Sequence, residues 1–243
     1  MCNTLVTATQ DPDPKVAAAA SDGLYRRTDE NSVQARLALL KHTSPEVRVR
    51  ACLDLQQLVR DDVTEAMLRA THDGDPRVRA AAAIALIWPL REGLHAEVQE
   101  APPAIVARLK EMLSEADPEV RGRAAAALGE TCDPTHAPLL LGRLGPQPLP
   151  GEEERAMVSA LAMLFSRDMT GAARTALQGY VPRLVLSLRA NANNRWAVIP
   201  LLRMAGTAEA RTALEEVAKS NPDADVRGLA AAELREWDKG STR

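Results

Sequence analysis

A short phrase recurs along the chain, and it constrains the fold more than any other feature. In "DPRVRAAAAIAL", residues 75–86, an Asp-Pro pair precedes a Val-Arg pair and a run of small residues. A phrase that recurs at regular intervals indicates a tandem array in which each copy builds one supersecondary unit. Alignment on the valine of the phrase gives five copies, at Val16, Val47, Val78, Val120 and Val226.

Two further apolar columns stand at fixed offsets from these valines. Offsets of 0, +4 and +8 lie on one face of an α-helix, so each copy predicts an amphipathic helix. The residue at +5 is always small, as expected where a neighbouring helix approaches closely. The alanines at +4 are Ala20, Ala51, Ala82, Ala124 and Ala230, and the leucines at +8 are Leu24, Leu55, Leu86, Leu128 and Leu234.

Each copy also carries the signals of a helix start. The residue three positions before the valine is of a type favoured at the N-cap, and four copies have proline at the next position, which is the first of the helix. These N-cap residues are Asp13, Ser44, Asp75, Asp117 and Asp223, and the prolines are Pro14, Pro45, Pro76 and Pro118.

The spacing of the copies predicts two helices per repeat. Consecutive valines are 31, 31, 42 and 106 residues apart. Two degenerate copies of the phrase, near residues 156 and 193, divide the last interval. Ala156, Ala160 and Leu164 keep the apolar spacing of the first, and Ala197 and Leu201 keep part of the second. Steps of this length accommodate a helical hairpin. We predict about seven hairpins, with second helices in residues 31–42, 61–73, 102–116, 135–144 and 207–220.

Composition excludes several classes of protein. The formal net charge is −3, which argues against a protein that coats nucleic acid. The first residues have neither the positive charge nor the apolar run of a signal peptide, and no window approaches the length of a membrane span. Cys2, Cys52 and Cys132 are too scattered for a disulfide framework. We therefore expect a cytoplasmic protein with free thiols.

The phrases "SPEVRVRACLDL", "DPRVRAAAAIAL" and "DPEVRGRAAAALGE" resemble HEAT repeats, in particular the short bacterial type first described in phycobilisome lyases. The resemblance is strong in four or five units and degenerate over residues 133–220. It implies an all-α fold, an α-solenoid (superhelix) of stacked hairpins that binds another macromolecule along its surface. The family contains scaffolds, bilin lyases, a hydroxylase and DNA glycosylases, so the resemblance does not imply one chemistry.

We expect one solenoid over residues 1–243. Residues 1–143 hold the regular repeats, 144–155 a Pro-rich connector, 156–220 the degenerate repeats and 221–243 the last repeat with a C-terminal cap. The long step contains an insertion at residues 88–103, which begins with Trp88 and Pro89. Residues 3–16 align with the tail of a second helix, and the sequence leaves open whether this helix caps the stack or whether residues or a partner are missing there.

An arginine follows the valine in four copies, with Ala17 as the exception. The resemblance implies a structural Asp-Arg ladder between neighbouring repeats, in which these arginines meet the N-cap acids. The predicted ladder consists of Arg48, Arg79, Arg121 and Arg227 with Asp13, Asp75, Asp117 and Asp223.

No residue pattern predicts a metal site or a catalytic site. His42 and His72 fall in adjacent repeats about 10 Å apart, too far for shared ligation. The hydroxylase of the family binds iron through His-Glu pairs, and this sequence contains no His-Glu dipeptide. A reactive cluster of Cys132, Asp133 and His136 is one interpretation of "GETCDPTHAP", and a turn in which Cys132 replaces a glycine is the other. We predict no cofactor.

The strongest functional signal is an asymmetry of charge. Residues 169–208 contain no Asp or Glu but five arginines, and Trp196 lies among them beside three asparagines. Arginine and an aromatic residue are typical of binding hot spots. The alternative is that the arginines point in different directions. The predicted partner-binding residues are Arg174, Arg183, Arg189, Arg195, Trp196 and Arg203, together with Trp88.

These observations favour a non-enzymatic scaffold or adaptor that binds a protein partner with an acidic surface. A bilin-lyase or chaperone-type subunit and a DNA glycosylase or DNA-binding protein are the alternatives within the family. The glycosylase fits less well because the basic stretch has no Asp and the chain has three Trp in total. The sequence leaves the oligomeric state, the binding face and the partner's identity open.

Overall fold

The computed structural model describes residues 2–92, 101–145, 149, 151–167, 171–190 and 194–240. Within these residues the secondary structure is helical and contains no strand. A 3-10 turn lies at Pro134–His136. The α-helices are α1 (Cys2–Ala8), α2 (Pro14–Leu24), α3 (Glu30–Leu39), α4 (Pro45–Leu55), α5 (Asp61–Ala70), α6 (Pro76–Glu92), α7 (Pro103–Met112), α8 (Pro118–Glu130), α9 (Ala137–Leu144), α10 (Gly151–Arg167), α11 (Gly171–Gly179), α12 (Val181–Ala190), α13 (Arg195–Ala205), α14 (Ala208–Ser220) and α15 (Ala224–Gly240).

The chain divides into two compact units, residues 1–127 and 128–243. In the first unit α2, α4 and α6 pack in series, while α1, α3 and α5 pack beside them as second helices of hairpins. In the second unit α10, α13 and α15 pack in series, and α9, α12 and α14 accompany them. The predicted all-α solenoid of helical hairpins is therefore confirmed. The division falls inside α8, before the predicted connector.

The predicted apolar columns form the core. The valines of the last four clear copies are at most 2% exposed, and the five alanines at +4 are at most 3% exposed. Val16 is the exception, since it is 39% exposed. The adjacent Ala17 is buried instead and packs in one cluster with Val47 and Ala51 of the following repeat. The valine column thus faces the preceding repeat, and the column beside it faces the following one.

The predicted helix starts are confirmed. Four helices begin at the prolines Pro14, Pro45, Pro76 and Pro118. Asp13 Oδ1 accepts a hydrogen bond of 2.9 Å from the backbone N–H of Lys15, and Asp117 Oδ1 accepts from Glu119 at 2.8 Å. Such bonds satisfy N–H groups that have no partner within the helix, and they locate each helix end along the chain.

Two segments differ from the sequence prediction. Helix α10 begins at Gly151, so Glu152, Glu153 and Glu154 form its first turn and are not part of a connector. Acidic residues are favoured there because the N-terminus of a helix carries partial positive charge. In the degenerate region, α11 and α12 stand where the sequence pattern predicted no particular helix. Residues 93–100 of the predicted insertion lie outside the described residues.

A buried arginine joins two helix ends in the first unit. Arg36 is fully buried, and its guanidinium donates to the carbonyl oxygens of Tyr25 at 3.1 Å and Asp54 at 3.3 Å, and to that of Arg27. Burial lowers the pKa of Arg36, but the guanidinium stays charged because its ordinary pKa is so high. It satisfies carbonyls at the C-terminal ends of α2 and α4, which carry partial negative charge.

Candidate partner-binding surface

The Arg ladder is present in the first unit, with different acids from those predicted. Arg48 binds Asp73 through two parallel bonds of 2.8 Å, from Nε and Nη2. Arg79 Nε donates to Glu115 at 2.7 Å. These acids precede their repeat's valine by five residues. Each arginine therefore reaches the acid of the following repeat and ties consecutive hairpins together.

The N-cap acids, which were predicted to lie in the ladder, serve their own helices instead. Asp75 Oδ1 accepts from the backbone of Arg77 at 2.9 Å and pairs with that residue's side chain. Asp223 Oδ1 accepts from the backbone of Asp225 at 2.9 Å. A carboxylate engaged at a helix N-terminus does not point toward the preceding repeat, so the prediction for Asp13, Asp75, Asp117 and Asp223 is corrected.

The other two predicted ladder arginines also donate to backbone carbonyls. Arg121 Nη1 donates to the carbonyls of Glu115 and Ala116, each at 2.7 Å. Arg227 Nη1 donates to Asn221 at 2.6 Å and Pro222 at 3.1 Å. Arg48 and Arg79 make the same pair of bonds to the loop before their own helix. The four arginines therefore share one pair of bonds to the loop before their own helix.

Replacing Arg48 tests the ladder. The hydrogen bond from Arg48 holds the pKa of Asp73 below its ordinary value of 3.8. A carboxylate with a lowered pKa stabilises the fold above its ordinary pKa, and this contribution is lost as the pH falls through the lower folded value. R48Q should raise the Asp73 pKa, measured by carboxyl NMR titration, and destabilise the protein at neutral pH by about 1–3 kcal/mol. R123Q, at a far more exposed pair with Glu119, is the control. An unchanged Asp73 pKa would contradict the ladder.

Arg183 does not belong to the exposed basic surface. It is 6% exposed, and Nη2 donates to Glu154 Oε2 at 2.7 Å, while Nη1 reaches Oε1 at 3.2 Å. Asn194 Nδ2 contacts the same carboxylate at 3.3 Å and Ser187 Oγ at 3.0 Å. This buried polar cluster joins α10, α12 and the start of α13. The sequence signal was an arginine in an acid-free stretch, but the acid that pairs with it lies on α10, before that stretch.

The remaining arginines of the stretch are partly neutralised by neighbouring helices. Arg203 pairs with Glu233 of α15, and Arg189 pairs with Glu216 of α14 at 2.8 Å. Arg174 is exposed on α11. The side chain of Trp88 lies outside the described residues. The predicted set thus occupies several helices and does not form one continuous patch.

Four residues on α12 and at the start of α13 define what we call the α12–α14 surface: Leu186, Arg189, Arg195 and Trp196. Leu186 and Arg189 share the outward face of α12, and Arg195 and Trp196 begin α13, which packs against α12. Trp196 is 56% exposed and Leu186 is 51% exposed. Arg189 and Arg195 line a groove of about 210 Å³ whose other wall is the end of α14, with Ala213, Glu216 and Val217.

A second groove lies in the first unit between α3 and α5. It has a volume of about 480 Å³, with an aliphatic floor that includes Leu37, Leu40 and Ala66. Its rim carries both signs of charge, from Lys41 and Arg69 and from Asp62 and Asp73. No sequence pattern predicted this groove, because its residues are spread over two repeats and are individually ordinary surface positions.

His42, Cys132 and Cys52 occupy positions that are explained by the turns and the core of the repeats. His42 Nδ1 accepts from the backbone of Ser44 at 3.0 Å, so it takes the place of the acid that lies there in other repeats. Cys132 has φ of 53°, which favours the interpretation that it replaces a turn glycine. Cys52 is buried, and burial raises its thiol pKa to about 12. Such a thiol is protonated and unreactive at neutral pH.

The described residues offer neither a metal site nor a membrane span. Among them, no three side chains of His, Cys, Asp or Glu come together in a way that could hold a metal ion. No described helix has the length and apolar character needed to cross a membrane.

Comparison with known proteins identifies the repeat type. The HEAT-repeat family signature matches residues 33–92. No curated protein sequence gives a significant match. The complex of CpcE and CpcF of phycocyanin lyase from Nostoc sp. PCC7120 has a similar fold, with a TM-score of 0.55 and 20% identity over 86% of this chain and 78% of that one.

More distant similarities are to other helical-repeat structures. Human deoxyhypusine hydroxylase aligns with a TM-score of 0.38 and 17% identity over 98% of this chain and 96% of that one. A designed armadillo repeat protein aligns with the same TM-score, 0.38, and 16% identity over 97% and 99%. Residues 33–92 thus carry the HEAT-repeat signature, and the stacked helical hairpins of the described residues form an α-solenoid fold.

Proposed function

We propose that the chain is a non-enzymatic scaffold or adaptor that binds a protein partner through the α12–α14 surface. The observation that carries the proposal is Trp196, which is more than half exposed and directly follows Arg195, one of the two arginines that line the groove. Tryptophan and arginine are the residue types that dominate binding energy at protein interfaces.

The groove indicates the chemistry of the partner. Arg195 Nε donates a long bond of 3.4 Å to the carbonyl of Leu188, and Arg189 holds Glu216 in an exposed ion pair. Exposed pairs contribute about 0.2–1 kcal/mol, so a carboxylate of the partner displaces Glu216 at little cost. A buried aromatic anchor contributes about 2 kcal/mol or more. We therefore infer a partner with an apolar pocket for Trp196 and acidic residues around it.

Affinity capture with quantitative mass spectrometry tests this proposal. W196A should reduce recovery of the partner about 30-fold, which corresponds to the 2 kcal/mol of a hot spot, and R189E/R195E should reduce it less. V59N replaces a more exposed apolar residue, and K41E/R69E reverses two charges at the α3–α5 groove. Both controls should retain the same partner. Equal recovery by W196A and wild type would remove the α12–α14 surface from the proposal.

The two alternative functions give different results in the same preparation. A pigment that co-purifies with the chain would favour the bilin-lyase type of subunit. Tight DNA binding that weakens steeply with salt would favour the glycosylase type, because phosphate contacts release counterions. Either result would replace the scaffold proposal.

A further inference from the structure

One ladder acid, Asp11, and one ladder arginine, Arg227, have no ladder partner among the described residues. Asp11 occupies the ladder-acid position of the first repeat, and its Oδ1 accepts from the backbone of Asp13 at 2.8 Å. Asp73 accepts the same 2.8 Å bond from Asp75, and Arg48 then binds its carboxylate. Among the described residues no arginine contacts the Asp11 carboxylate. The pose of this acid is therefore that of a ladder partner without its arginine.

Arg227 is the complementary half, on α15. Its Nη1 donates to two carbonyls of the loop before its own helix, as Arg48 does, and these bonds fix the guanidinium in the ladder pose. In Arg48 the remaining donors, Nε and Nη2, bind the acid of the next repeat. In the described part of the chain, no carboxylate meets those donors of Arg227.

The apolar columns are open at the same two places. Val16 is 39% exposed, whereas the other four valines of its column are at most 2% exposed because a preceding repeat covers them. On α15, Ala231 and Leu234 are only half-buried. The leucines that correspond to Leu234 in the first four repeats are at most 4% exposed. The uncovered face of α2 thus presents Val16 and an acid, and the uncovered face of α15 presents Ala231, Leu234 and an arginine.

We infer that these two faces bind each other between two copies of this chain. The α2 face of one copy stacks on the α15 face of another, so that Arg227 pairs with Asp11 and Val16 packs against Ala231 and Leu234. The contact repeats the geometry that joins consecutive hairpins within the chain. Because the two faces differ, the interface is head-to-tail, and repeated contacts of this kind produce a closed ring or an open chain of copies. This surface is distinct from the α12–α14 surface.

Blocking one face at a time tests the inference. V16K blocks the α2 face, and R227E blocks the α15 face by placing a carboxylate opposite Asp11. In sedimentation velocity at increasing concentration, wild type should form species larger than the 26.2 kDa monomer. Each variant alone should remain a monomer, with association weakened at least tenfold. An equimolar mixture has one intact junction and should form a dimer that grows no further.

Controls separate this result from unfolding and from general charge effects. V59K and R123E place the same changes at exposed sites elsewhere and should associate as wild type does. If R227E unfolds because the loop carbonyls lose their donor, A231Q keeps the arginine and blocks the same face. A wild type that stays monomeric at several hundred micromolar, or a mixture that forms no dimer, would overturn the inference.

Discussion

Glu154→Gln should lower the free energy of unfolding by about 3–5 kcal/mol, because it removes the carboxylate that forms an ion pair with the buried Arg183. Glu154 is 4% exposed and Arg183 is 6% exposed, so water does not replace the lost partner. Urea denaturation at neutral pH measures the change. E154L/R183L, which removes both charges, should be less destabilised than E154Q.

The buried Glu154–Arg183 pair should also make the stability of the protein depend on pH. Burial raises the pKa of Glu154, but the hydrogen bonds from Arg183 and Ser187 outweigh burial and hold it below the ordinary 4.5. The stabilisation from the ionised Glu154 is therefore present above pH 4.5 and is lost as the pH falls through the lower pKa of the folded state.

E152Q is the control variant, at an exposed pair with Arg155, and it should change the free energy of unfolding by less than about 1 kcal/mol. An E154Q protein as stable as E152Q would contradict the role of the buried pair.

Gly129→Leu should destabilise the protein by about 3 kcal/mol, or more if the helices cannot move apart. A Cβ at residue 129 would lie 2.6 Å from the Cα and 2.8 Å from the Cβ of Ala160. Because the nearest atom belongs to the backbone of α10, no side-chain rotation relieves the overlap. Thermal unfolding followed by circular dichroism measures the loss.

Gly228→Leu is the matched control for this substitution. Gly228 lies in α15, and a Cβ added to it would have no neighbouring atom within 4 Å. The leucine should raise stability by up to about 1 kcal/mol through helix propensity. If both leucine variants change stability alike, the close approach of α8 and α10 at Gly129 is not a stabilising contact.

The repeat frame could be predicted from the sequence because each signal is local. Valine, alanine and leucine at 0, +4 and +8 lie on one helix, and the prolines and N-cap residues stand within one turn of it. The choice between Asp73 and Asp75 as ladder acid could not be predicted this way. Both are acidic and lie two residues apart, and only the turn geometry decides which carboxylate faces the preceding repeat.

The candidate site was less predictable, because its charges are balanced by residues distant in sequence. Arg183 is 29 residues from Glu154 along the chain but forms a buried pair with it. Glu216 and Glu233 lie beyond the acid-free stretch and neutralise two of its arginines. Trp196 could be recognised from its rarity and its arginine neighbours, but its exposure depends on how α12, α13 and α14 pack.

Photo-crosslinking at residue 196 tests the central claim, that this solenoid binds a protein through the α12–α14 surface. A photoreactive phenylalanine analogue replaces Trp196 in one variant and Val59 in a control, and adducts formed in the native cell extract are identified by mass spectrometry. The proposal predicts a discrete protein adduct at residue 196 that is absent at residue 59 and is lost when R189E/R195E is added. No adduct at 196, or the same adducts at both positions, would contradict it.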